Sequence, residues 1–136
     1  MTNLSSDVFM TDIISQRDIK QLVEAFYNKA ISDQEIGYFF TKVTRIDLAS
    51  HLPIICSFWE SVLLGNTQYK RNPMLKHIEL NRKEPMLKSH FERWFVLWEE
   101  TVNEKFEGEK AKEAIKRASM IKELMFFKVS EENKKG

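Results

Sequence analysis

The chain has 136 residues, which is a typical length for one domain. Hydrophobic residues make up 43% of it and charged residues 30%, a mixture that excludes a disordered or fibrous protein. The formal net charge is only +1, which argues against nucleic acid as the main partner, and the single cysteine, Cys56, excludes an intrachain disulfide.

The sequence predicts neither a membrane segment nor an export signal. Its apolar runs fall well short of the roughly 18–20 residues that cross a bilayer. The opening stretch MTNLSSDVFMTDII lacks the basic start of a secretory signal. We therefore expect a cytoplasmic protein with no membrane partner. A flexible lead-in is expected over residues 1–14, a single domain over 15–128 and a polar tail over 129–136.

The first predicted helix begins near Ser15, because Ser15 and Asp18 have the spacing of a capping box. Apolar residues then recur at helical spacing, which predicts a buried face. They are Ile19, Leu22, Val23, Phe26, Tyr27, Ala30 and Ile31. A short helical turn, EIGYFF, follows and carries Phe39 and Phe40.

A second helix is predicted to begin after Asp47 or Ser50. Pro53 is expected in its first turn, where a missing amide proton costs nothing, and Gly65 is expected to end it. One face of this helix is apolar apart from a histidine at its start. Its members are His51, Ile55, Phe58 and Val62.

Two further long helices complete the chain. A polar segment over 66–84, with a short apolar helix around His77, leads to Pro85, where the third long helix is predicted to begin. Gly108 separates it from the last helix. The third carries the apolar face Leu87, Phe91, Trp94, Phe95, Trp98, Val102 and Phe106, and the last carries Ala111, Ala114, Ile115, Ala118, Ile121, Leu124 and Met125. Because no segment alternates with a period of two, we predict an all-α fold.

The three histidines lack the spacing of a zinc site. His90, near the start of the third long helix, is expected at the surface. His51 is either a partly exposed residue near a helix start or part of a site. His77 is either a core histidine bonded to a backbone carbonyl or an axial ligand of haem iron, because a porphyrin supplies four nitrogens and the protein needs to add only one. The helical aromatic residues are, in the same way, either plain core or the walls of a haem pocket.

Several motifs, taken in order, resemble the group III truncated haemoglobins over roughly residues 16–127. They are FYNKA, GYFF, HLPIICSFWESVLLG, YKRNPMLKHIEL and HFERWFVLWEETVNEKF. The most specific element is His-x-Pro followed by Phe-Trp and Leu-Leu-Gly, then Pro-x-x-x-His and Phe-x-x-Trp. One departure is Arg71, which stands where the family often has glycine. The resemblance implies a globin-like two-on-two helical sandwich around one haem b.

The resemblance also implies roles for individual residues. His77 matches the histidine that binds the haem iron, while Tyr27, His51 and Trp94 match polar residues on the ligand side of the haem. Trp59 is expected to be a core residue. Apolar contacts with the haem are expected from Phe40, Ile55, Phe58 and Phe91, and propionate contacts from Tyr69, Arg71 and Lys76, which flank His77.

These roles predict the chemistry. Ferrous haem held by one neutral histidine leaves one position for O2, CO or NO. Tyr27 and Trp94 carry donors that stabilise the partial negative charge of bound O2, each by about 1–3 kcal/mol. Two donors slow O2 release by about two orders of magnitude or more, so we predict NO oxidation or peroxide activation rather than O2 transport.

Catalysis of this kind needs an outside electron donor, because the sequence contains no flavin or reductase segment. His51 is expected to move a proton during peroxide activation or to act as a gate for the ligand. Two other functions remain open at this point. One is a haem-based ligand sensor or oxygen reservoir without turnover, and the other is a haem-free helical interaction module.

Overall fold

The structure, a computed structural model, describes residues 10–43, 47–65, 81 and 84–135. Within these ranges the chain forms four α-helices and a π-helical turn. The helices are α1 (Gln16–Ser32), α2 (Leu48–Leu63), α3 (Lys88–Lys105) and α4 (Glu109–Lys135), and the turn is Phe39–Val43. No strand occurs in these ranges, which confirms the all-α prediction. None of the helices described there is long and apolar enough to cross a membrane.

Helix α1 begins where the sequence predicts. The Ser15 hydroxyl accepts a hydrogen bond from the Asp18 N–H at 3.2 Å, and the Asp18 carboxylate accepts one from the Ile14 N–H at 2.9 Å. These bonds satisfy amide groups that have no partner inside the helix. The predicted apolar face is buried except for Ile31, which is half-buried. Helical periodicity therefore identified the core side of α1.

Helix α2 begins at Leu48, with Asp47 as its cap, so the prediction that Pro53 lies in the first turn is wrong. The Asp47 carboxylate accepts a hydrogen bond from the Ala49 N–H at 3.1 Å. Pro53 is the sixth residue of the helix and has no N–H to donate to the carbonyl of Ala49. The helix buries Cys56, Trp59 and Leu63, whereas the face of His51, Ile55, Phe58 and Val62 is half-buried.

Helix α3 begins at Lys88, three residues later than predicted from Pro85. It buries Phe91, Leu97, Trp98, Thr101 and Val102, whereas Leu87 is 57% exposed rather than part of the apolar face. Gly108 lies between α3 and α4 with a φ of +141°, a conformation that favours glycine.

The last helix is longer than expected. Helix α4 continues to Lys135, and Val129 is buried in a small cluster with Phe91 and Met125. At the other end of the chain, Ile13 is fully buried in the core. The packed part of the chain therefore extends beyond residues 15–128 on both sides.

The helices pack around one main core. Helix α1 contacts α2 and α3, and α4 contacts α3 and α2. The indole rings of Trp59 on α2 and Trp98 on α3 stack with centroids 4.6 Å apart and an interplanar angle of 18°, so Trp59 is a core residue, as predicted. The Trp98 N–H donates to the Ala114 carbonyl of α4 at 3.2 Å. This chain of contacts joins three helices and fixes the position of α3, which carries Trp94.

Candidate functional site

A cavity of about 80 Å³ lies between α1, the π-helical turn and the beginning of α3. A single water molecule needs about 10–15 Å³ in the same measure, so the cavity has room for a diatomic molecule. Apolar and aromatic side chains form most of its wall. The lining residues are Tyr27, Ile36, Phe39, Phe40, Met86, His90, Phe91 and Trp94.

Two of the predicted polar residues form a hydrogen-bonded pair beside this cavity. The hydroxyl oxygen of Tyr27 on α1 lies 2.8 Å from Nε2 of His51 on α2, and the two rings meet edge to face. The Tyr27 ring also packs edge to face against Phe40. Burial raises the pKa of Tyr27 well above its ordinary value, so its hydroxyl keeps its proton at neutral pH.

Trp94 is the third predicted polar residue, and it also lines the cavity. It is half-buried and packs edge to face against Phe26, with ring centroids 6.2 Å apart. An indole N–H can only donate a hydrogen bond. Among the residues that the structure describes, none accepts a hydrogen bond from Trp94. Trp94 is therefore a donor on the wall of the cavity, which Tyr27 also lines with a hydroxyl that it shares with His51.

The prediction that His90 has only a surface role is wrong, because it is half-buried and lines the cavity. Its Nδ1 accepts a hydrogen bond from the Leu87 N–H at 2.9 Å, which caps the start of α3. Its Nε2 lies 3.5 Å from the Tyr38 hydroxyl. Burial lowers the pKa of His90, although Glu35 and Glu84 oppose this shift. Because Nδ1 accepts a hydrogen bond, the neutral ring carries its proton on Nε2.

The sequence contained one signal for His90. It stands three residues after the cap of α3, where a side chain can accept a hydrogen bond from the cap's own N–H. Its position in the cavity depends on how the π-helical turn packs against α3, which no local pattern shows.

An ion pair holds the wall of the cavity to α3. Asp33 directly follows α1, and its carboxylate contacts the Arg93 guanidinium at 2.8 Å. It also accepts hydrogen bonds from the N–H groups of Glu35 and Ile36. Although burial favours the neutral acid, Arg93 and these bonds outweigh it and lower the pKa of Asp33. The connection from α1 to the π-helical turn is thus fixed against the helix that carries Trp94.

The other predicted site residues fall into three groups. Phe40 and Phe91 line the cavity. Ile55 and Phe58 are half-buried on α2 and pack against the main core, but they do not belong to the lining of this cavity. Four predicted residues lie outside the described part of the chain: Tyr69, Arg71, Lys76 and His77.

Cys56 is a buried residue of α2. Burial raises the pKa of its thiol to about 11, and Glu60 and Glu24 add to the shift. The thiol is therefore protonated at neutral pH, which fits a packing role rather than a redox role.

The overall arrangement matches a solved structure. Over 89% of this chain and 95% of the other, it is similar to the crystal structure of the group III truncated haemoglobin from Campylobacter jejuni, with a TM-score of 0.77 and 29% sequence identity. The fold is therefore the globin-like two-on-two helical sandwich.

Sequence comparison narrows the class further. The chain is 32% identical over 113 residues to the Group 3 truncated hemoglobin ctb of Campylobacter jejuni. This aligned segment covers 81% of this chain and 87% of the relative. The chain belongs to the group III truncated haemoglobins. No protein-family model matches it.

The residues that line the cavity fit a haem. None of the described residues forms a group of three or more His, Cys, Asp or Glu side chains that could hold a bare metal ion. The wall instead combines flat apolar rings, including Phe40 and Phe91, with the donors of Tyr27 and Trp94. A flat apolar macrocycle that brings its own four nitrogen ligands suits this set, whereas a bare ion does not.

Proposed function

We propose that this globin holds haem b through His77, binds O2, NO and CO, and carries out chemistry on the bound ligand rather than O2 transport. The observation that carries the proposal is the part-buried hydrogen bond between Tyr27 and His51 beside a cavity that Tyr27 and Trp94 line. Membership of the truncated haemoglobins supports the haem and the small gaseous ligands.

A haem bound here would supply a redox-active iron that can take a diatomic ligand. His77 is the residue that we assign to the iron. Phe40 and Phe91 line the cavity and would provide flat apolar contacts to the porphyrin. Ile55 and Phe58 extend the apolar surface along α2, and the propionates are assigned to Tyr69, Arg71 and Lys76.

The hydroxyl group of Tyr27 has one proton and therefore two mutually exclusive arrangements. If Nε2 of His51 is unprotonated, Tyr27 donates its proton to His51. If Nε2 carries a proton, His51 donates to the Tyr27 oxygen, and the Tyr27 proton is free to point to a ligand. The tautomer of His51 thus decides whether Tyr27 acts as a donor in the cavity.

Trp94 adds a donor that cannot reverse its direction. Its N–H stabilises negative charge in the cavity, whatever the state of His51. Each donor contributes about 1–3 kcal/mol, because an unmatched charge in an apolar cavity is costly. A ligand that carries partial negative charge is therefore held longer than an uncharged one, which favours reaction over release. Returning the haem iron to the ferrous state after such a reaction would require an external electron donor.

Absorption spectra test the haem assignment. We expect the purified protein to show ferric, ferrous and CO-bound haem spectra. His77→Gly should lose the pigment unless free imidazole is added, whereas His90→Gln should keep it. A normal five-coordinate ferrous spectrum in His77→Gly without imidazole would refute the assignment.

A second experiment separates chemistry from transport. Protein equilibrated with O2 is mixed rapidly with NO, and nitrate is measured together with the rate of O2 release. We expect stoichiometric nitrate and slow O2 release. Fast release without nitrate would point to a carrier, and slow release without nitrate to a sensor or reservoir.

A further inference from the structure

The outer face of α4 carries three large apolar side chains that are left open to solvent. Met120 is 56% exposed, Leu124 51% and Phe127 55%. Spacings of four and three residues place them in one stripe along the helix. The opposite face of α4 is buried through Ala111, Ala114, Ala118, Met125 and Val129. This outer stripe is not needed for the core of the monomer and is therefore available to a partner.

Charged residues extend this stripe at both ends. They lie at nearly equal distances on the two sides of Leu124, and residues at matching distances carry opposite charges. Arg117 lies seven residues before Leu124, and Glu113 lies eleven before it. Glu131 lies seven residues after Leu124, and Lys134 lies ten after it. Within the helix, Arg117 pairs with Glu113 at 2.6 Å and Lys134 pairs with Glu131 at 3.4 Å. The signs of these four residues, with the apolar positions between them, are therefore minus, plus, three apolar positions, minus, plus.

A face with this order is complementary to itself when it is reversed. In an antiparallel pair of α4 helices with a two-fold axis at Leu124, Arg117 of each copy lies opposite Glu131 of the other. The offsets agree, because seven residues correspond to about 10 Å along a helix. Glu113 lies opposite Lys134 in the same way, at about 15–17 Å from the axis. A parallel pair would instead bring like charges together.

We propose that two copies of this chain associate through the outer face of α4, antiparallel and around a two-fold axis at Leu124. Such an interface is isologous, so every contact between two different residues occurs twice, and Leu124 of one copy meets Leu124 of the other. The proposal concerns only α4 and does not depend on a bound haem.

The size of the face limits the strength of this association. From Glu113 to Lys134 the strip is about 32 Å long and about 10 Å wide, which corresponds to roughly 300 Å² on each copy. Stable interfaces bury more than about 1,000 Å² in total. The dimer is therefore weak, with a dissociation constant between about 1 µM and about 1 mM.

Sedimentation velocity of the full chain tests the association. Between about 0.1 µM and about 1 mM, the average mass should rise from that of one chain toward that of two. Leu124→Asp should raise the dissociation constant by about tenfold or more. Lys112→Glu reverses a charge of α4 away from this stripe and should associate like the wild type. Circular dichroism verifies that each variant is folded.

Charge exchange tests the antiparallel arrangement. Arg117→Glu alone should weaken the dimer, and the double variant Arg117→Glu with Glu131→Arg should restore it, because the opposite charges face each other again. In a Cys56→Ser background, Leu124→Cys should form a disulfide-linked dimer on mild oxidation, whereas Lys112→Cys should not. A wild type that stays monomeric, a folded double variant that remains weak, or no selective cross-link at position 124 would each overturn the proposal.

Discussion

Tyr27 and His51 are 24 residues apart and lie on different helices, yet a contact of 2.8 Å joins the hydroxyl of one to Nε2 of the other. Neither side chain can therefore be changed without altering the hydrogen bonding of the other. The pair connects α1 to the start of α2 at the edge of the cavity, so its energetics can be examined by ligand release as well as by stability.

Tyr27→Phe removes the hydroxyl and keeps the ring that packs against Phe26 and Phe40. We expect O2 dissociation to become about tenfold to a hundredfold faster, which corresponds to about 1–3 kcal/mol for one donor. Stopped-flow replacement of O2 by CO measures this rate. Tyr38→Phe is the matched control, because Tyr38 does not line the cavity, and it should release O2 like the wild type. Equal rates in Tyr27→Phe and the wild type would contradict the role of this hydroxyl.

Trp94→Phe should also accelerate O2 release by about tenfold, and the double variant with Tyr27→Phe should be faster than either single variant. Trp98→Phe is the control. It removes the additional hydrogen bond that the indole N–H donates to the Ala114 carbonyl and should lower the free energy of unfolding by about 1–3 kcal/mol, with little effect on O2 release. If Trp98→Phe changed the rate as much as Trp94→Phe does, the effect would reflect loosened packing rather than a lost donor.

His90 should make the stability of the protein depend on pH near neutrality. Burial lowers its pKa in the folded state from about 6.5, the value of an unfolded chain, so the unfolded chain binds the proton first. The stabilisation is complete above about pH 6.5 and is lost as the pH falls through that value toward the folded pKa. Urea unfolding between about pH 7 and about pH 5 measures this loss.

The control for His90 is His90→Gln. Glutamine can accept the hydrogen bond of the Leu87 N–H at this position but does not titrate. The variant should keep α3 capped and should lose less stability than the wild type as the pH falls. An equally steep loss in both proteins would show that other groups cause it.

Asp12 should contribute measurably to stability, because it caps α4 from 98 residues away. Its carboxylate accepts hydrogen bonds at 2.8 Å from the N–H groups of Lys110 and Ala111. Asp12→Ala should lower the free energy of unfolding by about 1–2 kcal/mol in a denaturant titration. Glu109→Ala removes an exposed acid from the first turn of the same helix and should cost about 0.5 kcal/mol or less. Similar losses in both variants would exclude a specific cap.

Because the carboxylate of Asp12 can be protonated, its contribution to the free energy of unfolding depends on pH. Burial alone would raise the pKa of Asp12. The hydrogen bonds that its carboxylate accepts from the backbone N–H groups of Lys110, Ile13 and Ala111, together with the charge of Lys110, outweigh burial and lower the pKa. The contribution is therefore complete above about pH 4 and is lost as the pH falls through the folded pKa. This range lies well below that of His90, so the two effects can be separated.

Much of the fold could be predicted because helical packing leaves a periodic pattern. The buried face of α1 and the all-α class follow directly from such spacing. The start of α3 could not be predicted from Pro85 alone, since the helix begins where Leu87 and His90 close its first turn. The position of Pro53 inside α2 was missed for a related reason, because the strong cap at Asp47 sets the start of the helix upstream of it.

The candidate site was predictable in part. Tyr27 and Trp94 stand on helical stripes, and both line the cavity. His90 escaped prediction because its place in the cavity depends on how the π-helical turn packs against α3. The capping role of Asp12 escaped it because Lys110 and Ala111 are distant in the sequence. Such contacts have no period in the chain and are formed only when the helices are packed together.

The stacked pair of Trp59 and Trp98 has a practical consequence for spectroscopy. Two indole rings at 4.6 Å, nearly parallel, couple their electronic transitions, so the near-ultraviolet circular dichroism of this pair should disappear when α2 and α3 separate. Trp94 stands apart from them on the cavity wall. The molecule thus contains one optical reporter of helix packing and a separate one of cavity occupancy, without any added label.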